Sequence, residues 1–327
     1  MDLRKFIDGE ITREEALELT KLSGSKLVEL FAVANETREK YCGNRLPYCT
    51  ITNAKSGKCS ENCRFCAQSA HYKTNVEEYP VKETETLLNE YEVCESYGSS
   101  QFGFVTSGKT VSKGTKEYLR LKEFLKEANN KGSKVEVCAS IGLMTEEELL
   151  DLKESGLIRL HHNLQTSEKS YKDIVATSHE YKDKIQTIKN AKKAGLETCC
   201  GGIIGMGETW EDRIDLAFLL KELDVDGIPL NILNPIKGTP MENRELLNPE
   251  DYLKTIAIYR LIVKNKTIKV AAGRENILKD FMGTAFLAGA NSLFIGGYLT
   301  RAGRSVEEDL KFIANIKRMW NGNSINS

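Results

Sequence analysis

The chain has 327 residues, enough for two average domains or one large α/β barrel, and its 40% apolar content can bury a sizeable core. Its 46 Lys and Arg nearly balance 47 Asp and Glu, for a net charge of -1. That argues against a nucleic-acid or anionic-membrane partner, which would leave a basic excess. The opening MDLRKFIDGE lacks the apolar core of a secretory signal, and the most apolar long stretch, Phe281 to Leu299, is broken by Asn291, Ser292 and glycines. A cytoplasmic protein without membrane spans is the expectation. Nine cysteines, an odd number, then read as thiols of a reducing compartment, and a cluster of them suggests metal.

In chain order, the first 45 residues predict a helical extension, with Thr12 and Glu15 spaced as a capping box. From residue 46 to 327, strand-like runs alternate with amphipathic helices. The predicted strands are Tyr48–Asn53, Gln101–Ser107, Lys134–Ser140, Leu157–His161, Leu196–Gly202, Asp226–Leu233, Thr267–Ala272 and Ser292–Gly296. Between them, Leu121, Phe124, Leu125 and Ala128 lie on one helical face. Thr145 with Glu148 forms a second capping box, Gly156 a helix stop, and Asn248 with Pro249 a helix start. Eight such units predict an α/β fold of the (β/α)8 TIM type. An open doubly wound sheet is the competitor, but GGIIGMGE at Gly201 lacks the spacing of a dinucleotide loop.

Cys49, Cys138, Asn163, Cys199, Asn231 and Arg274 fall within these strands or at their C-terminal ends. In a barrel those ends share one mouth, where active sites lie. The segment KCSENCRFCAQ places Cys59, Cys63 and Cys66 at C-x3-C-x2-C. Thiolates select zinc, Cu(I) or iron–sulfur clusters. His71 could complete a zinc site, whereas three thiolates on a [4Fe–4S] cube leave one iron open to an exchangeable ligand.

That triplet, with Phe65 before its last cysteine, resembles the signature of the radical S-adenosylmethionine (SAM) superfamily. KSGKCSENCRFCAQSAHY, HHNLQTS, CCGGIIGMGET, NILNPIKGTP and AAGREN are moreover similar, in order and spacing, to segments of the biotin synthase family. The resemblance covers about residue 45 to the C-terminus. It implies a [4Fe–4S] cluster on Cys59, Cys63 and Cys66, SAM on its open iron, and sulfur insertion into dethiobiotin by way of a deoxyadenosyl radical. The sulfur would come from a second, auxiliary cluster. Other radical SAM barrels, such as a hydrogenase cluster-maturation protein or methylornithine synthase, are the nearest rivals; a non-catalytic iron–sulfur carrier or zinc-stabilised binder is the remote one.

By the same resemblance, Phe65 lies near the adenine, and Asn163 and Gln165 contact SAM, Asn163 also the substrate. Gln165 stands where the family commonly has Asp. Lys184 replaces an Arg that faces the SAM carboxylate, and Asn231 contacts the ureido ring of dethiobiotin. A reduced flavodoxin or ferredoxin would donate electrons, and a homodimer is implied. The auxiliary site departs from the pattern. Cys138, Cys199 and Arg274 match three of its usual ligands, but the remaining cysteine position falls on Gly103. Cys49 stands where the family usually has a small hydroxyl residue near the cluster, so Cys49, Cys138 and Cys199 are expected to hold a four-iron cluster in place of [2Fe–2S]. Arg274 would ligate it or stabilise its charge, and Cys42 is an alternative ligand. Cys94 and Cys200 read as structural. Of His161 and His162, adjacent in sequence, one is expected to face the cavity.

Overall fold

The computed structural model describes residues 2–300 and 303–322. Nine short parallel strands carry the fold: β1 (Tyr48–Lys55), β2 (Gln101–Thr106), β3 (Glu136–Ser140), β4 (Arg159–His161), β5 (Glu197–Cys199), β6 (Gly202–Ile204), β7 (Gly227–Ile232), β8 (Thr267–Val270) and β9 (Ser292–Phe294). They pair in the order β5-β4-β3-β2-β1-β9-β8-β7-β6, and a further pairing of β5 with β7 closes the sheet into a barrel. β5 and β6 are two halves of one stave, interrupted at Cys200 and Gly201, so the barrel has the eight staves expected. The interruption has a steric cause. A Cβ on Gly201 would lie 2.0 Å from the carbonyl oxygen of Pro229, so only glycine lets the broken stave stay against β7.

The helices begin where local chemistry starts them. Both sequence-predicted capping boxes form, Thr12 with Glu15 before Arg13–Leu19 and Thr145 with Glu148 before Glu146–Glu154. Pro249 opens the helix Pro249–Val263, although the Asn248 side chain makes no capping bond. In helix Lys116–Asn130, Leu121, Phe124, Leu125 and Ala128 are all buried. They meet Tyr91 of Thr84–Ser96 and the outward faces of Phe102 and Phe104 on β2, where the rings pack edge-on, tilted and stacked.

The N-terminal residues form helices Lys5–Asp8, Arg13–Leu19 and Gly24–Cys42, which pack against the barrel's later helices. Arg13 holds Asp215 through two hydrogen bonds of 2.6 and 3.1 Å. The fully buried Arg38 places its guanidinium 3.8 Å from the ring centre of Trp320, on the last helix, Val306–Asn321. The cavity opens at the opposite end of the barrel from the start of β8, where Cys42 at the end of the third helix meets the carbonyls of Lys264 and Lys266. Among the described residues no helix is long and apolar enough to cross a membrane.

Candidate active site

A cavity of about 500 Å3 runs down the barrel axis from the C-terminal ends of the strands. Its lining sorts into two levels. The mouth carries Phe65, Cys66 and Gln68 from the loop after β1, Asn163 and Gln165 just beyond β4, and Asn231 of β7. The floor carries Cys49, Gln101, Cys138, Arg159, Cys199 and Lys269.

The floor lies lower in the barrel than the sequence suggested. Cys49 is the second residue of β1 and pairs with Gln101, the first of β2; it is not at a C-terminal strand end. Cys138 sits midway along β3, level with Gly103 and Arg159, and Cys199 is level with His161 and Gly227. Cys49, Cys138 and Cys199 are each more than nine-tenths buried. They are close enough for their charges to interact: burial pushes the Cys138 and Cys199 thiols up, while Arg159 and Lys269 pull against that rise. Gly103 borders the cavity but offers no ligand atom, and a Cβ there would come within 2.9 Å of the Ile51 methyl, so a side chain would have to displace Ile51.

The cations at this floor are Lys269 and Arg159, and Arg274 is a correction. Arg274 does not itself line the cavity, although its partners Glu275 and Tyr298 do. It follows β8, in the helix Arg274–Ile277, with its side chain fully buried against Asp309 at 2.7 Å, Glu275 at 2.9 Å and the Tyr298 hydroxyl at 2.8 Å. Two carboxylates balance its charge, while its Nη1 is buried without a hydrogen-bond partner. Lys269 is 3% exposed, and its Nζ lies 2.8 Å from Cys49 Sγ and above the Phe294 ring. It has no carboxylate partner among the described residues. Burial disfavours its charge, but Cys49 and Cys199 outweigh this and hold its pKa above the usual lysine value. Period-two alternation along TIKV was the signal: a lysine between Ile268 and Val270 must face inward when its neighbours face the helices. Arg159, in ion pair with Glu197, was missed in the same way.

Cys42 is removed from the site. Its sulfur accepts from Arg260 at 3.1 Å, beside the carbonyls of Lys264 and Lys266 where β8 is about to begin. Cys94 and Cys200 are buried in the outer core, as expected. Of the two histidines, His161 lines the cavity, and burial with Lys269 and Lys184 nearby lowers it to about 4, so its imidazole is neutral.

At the mouth, the triplet sits on a loop folded by its own backbone. Cys59 N–H donates to Gln68 at 2.9 Å, Ala70 to Cys59 at 2.8 Å, and Cys66 to Cys63 at 3.0 Å. Burial raises Cys63 to about 12 and Cys66 to about 11, so both are neutral thiols until iron displaces their protons. Among the described residues no three Cys, His, Asp or Glu side chains close around a single metal ion, and the His71 ring bonds the Ser60 carbonyl at 2.9 Å. The zinc alternative therefore has no assembled ligand set among the described residues. A larger anionic group fits better. Lys184, 7% exposed on helix Tyr181–Lys193 and close enough to Cys63 to feel its charge, has no hydrogen-bond or ion-pair partner among the described residues. The Gln165 side-chain oxygen is likewise buried without a partner. Unpaired buried polar groups are costly unless a ligand satisfies them.

Asn163 accepts from the Gly201 amide at 2.9 Å. Asn231 donates to Gly202 and accepts from Ala272, both at 3.2 Å. These bonds aim both amides and still leave each with capacity for a ligand. The glycine loop that follows β6 is less available: the amides of Gly205, Met206 and Gly207 all donate to the Glu208 carboxylate.

The Radical SAM superfamily model matches residues 54–220, and the Biotin and Thiamin Synthesis associated domain matches 229–317. Among curated relatives, the biotin synthase of Carboxydothermus hydrogenoformans is 45% identical over 96% of both chains. Those of Pelotomaculum thermopropionicum (44%, over 94% of this chain and 95% of that one) and Clostridium botulinum (45%, over 96% of both) are similar. Among solved structures, methylornithine synthase superposes with a TM-score of 0.83 at 19% identity, covering 96% of both chains. A maturase of the [FeFe]-hydrogenase gives 0.82 at 19%, covering 96% of this chain and 73% of that one. These two share the fold. Across nearly its whole length, the chain belongs to the biotin synthase family of radical SAM enzymes.

Proposed function

We propose that this chain closes the thiophane ring of biotin by inserting sulfur into dethiobiotin, with the sulfur held at the barrel floor. The observation that carries this reading is a single cavity with cysteines at both levels, Cys66 of the triplet at the mouth and Cys49, Cys138 and Cys199 below. Bound at the mouth, a [4Fe–4S] cluster with SAM supplies the one-electron chemistry that takes hydrogen from unactivated carbon. Cys59, Cys63 and Cys66 hold that cluster. Lys184 faces the SAM carboxylate as a point charge, Phe65 borders the adenine, and Asn163 with Gln165 orients SAM. Asn231, and Asn163 beside it, present donor and acceptor to the ureido group.

At the floor, Cys49, Cys138 and Cys199 supply three thiolates for an auxiliary cluster of four-iron type, whose fourth position can carry the sulfide to be transferred. Lys269 and Arg159 offset the negative charge of those thiolates in a site too dry for water to do so. Walls of Ile51, Val105 and Ile203 keep the space between the levels apolar. The reading includes a flavodoxin or ferredoxin as reductant, a homodimer and a cytoplasmic location.

Anaerobic reconstitution with iron, sulfide, SAM and dethiobiotin tests it. Biotin detected by mass, with about eight irons per chain falling to about four in Cys49→Ala, is the expected outcome. About six irons, with Cys49→Ala retaining the full auxiliary cluster, would reject the ligand set; failure to form biotin would reject the activity.

A further inference from the structure

The loop of the cysteine triplet is clamped from one side by a buried polar chain that the chemistry above does not use. Glu61 lies between Cys59 and Cys63, and both its side chain and that of His179 are 8% exposed. Its carboxylate accepts from His179 Nδ1 at 2.5 Å and from Ser178 Oγ at 2.8 Å. On the far side of the imidazole, Nε2 lies 2.6 Å from the Tyr171 hydroxyl. A carboxylate can only accept, so Nδ1 carries the proton and Nε2 accepts from tyrosine. The tautomer is set by its two neighbours. Asn62 adds three neutral bonds to the same segment: its Oδ1 accepts from the amides of Thr177 (3.0 Å) and Ser178 (3.1 Å), and its Nδ2 donates to Thr177 Oγ1 at 2.7 Å.

The clamped segment joins the helix Glu168–Ile174 to the helix Tyr181–Lys193, which bears Lys184. It therefore ties the cysteine loop to the element that presents the unpaired ammonium. Glu61 thus brings one carboxylate, held by donors from Ser178 and His179, to the segment between Cys59 and Cys63.

We propose that Glu61, His179 and Tyr171 are positioning residues that align the cysteine loop with Lys184 and place one fixed negative charge behind the SAM cluster, lowering its reduction potential. A fixed anion beside a cluster disfavours the added electron, and partners behind the ligands set their orientation. The inference rests on the radical SAM reading of Cys59, Cys63 and Cys66 and is independent of the auxiliary site.

The test is redox titration of the full chain, followed by the EPR signal that changes on adding SAM, which belongs to this cluster. Glu61→Gln, with its irons retained, should shift the midpoint potential upward and raise KM for SAM about tenfold. Glu61→Asp, which keeps the charge, should restore most of the potential. If Glu61→Gln does not hold its cluster, His179→Asn serves instead and should raise KM for SAM with a smaller change in potential. An unmoved potential and KM in a cluster-bearing Glu61→Gln, an equal shift in Glu61→Gln and Glu61→Asp, or a wild-type KM in His179→Asn overturns the proposal. Wild-type protein without any SAM-responsive signal would instead overturn the radical SAM reading itself.

Discussion

Two buried cations, Lys269 and Arg274, separate at the level of single residues. Arg274 is enclosed by Asp309 and Glu275, so its charge is balanced within the wall of the barrel. Lys269 bonds the Cys49 thiol and lies over the Phe294 ring, with no carboxylate partner among the described residues. Replacing one member of a buried pair leaves the other charge stranded, so Arg274→Ala should cost about 3–5 kcal/mol of stability in denaturant unfolding. It should leave the iron content of folded protein unchanged. Lys269→Met should do the reverse, keeping the fold while lowering the iron retained at the floor, read by iron analysis and Mössbauer spectra. Equal iron loss in both variants would mean that Arg274 acts on the cluster after all. Sequence similarity pointed to Arg274 because AAGREN is a conspicuous match, but a matching residue name says nothing about which way its side chain faces.

Among the elements, the helix Trp210–Glu222 shows how local signals and tertiary contacts combine. Asp212 closes a capping box with Thr209 and also accepts from Ser170 at 2.7 Å and from Ser167, so one carboxylate joins two helix starts. Burial would raise its pKa, but those bonds prevail and lower it to about 2. The folded pKa lies below the unfolded one, so its contribution is complete above about pH 4 and is lost as pH falls toward 2. The size is about 2 kcal/mol. Unfolding measured across that window should steepen in wild type and flatten in Asp212→Asn; parallel curves would contradict the assignment. Capping boxes and the apolar stripe at Leu121 to Ala128 were legible because they are set by neighbours three or four residues away. The split of the fifth stave was not, because it arises from the Pro229 carbonyl, 28 residues beyond Gly201, passing where a side chain would stand.

For the molecule as a whole, the thiols at both levels of one cavity couple metal loading to folding. Several are buried with raised pKa values, so the iron-free protein keeps neutral thiols around unfilled space, and a group that binds only the folded form stabilises it by mass action. Anaerobically reconstituted protein should therefore melt several degrees above chelator-stripped protein by calorimetry. Equal Tm values would show that the cavity holds its shape without its clusters.

The order of strands and helices, the helix starts and the C-x3-C-x2-C loop were settled by the sequence itself, since each depends on spacing along a few turns of chain. Which distant residues share the barrel interior was settled only when the sheet closed. Closure brings Cys49, Cys138, Cys199 and Lys269 to one floor, sends Arg274 and Cys42 elsewhere, and joins Glu61 to His179. Those pairings depend on the stagger between strands that are far apart in the chain, which no local pattern encodes.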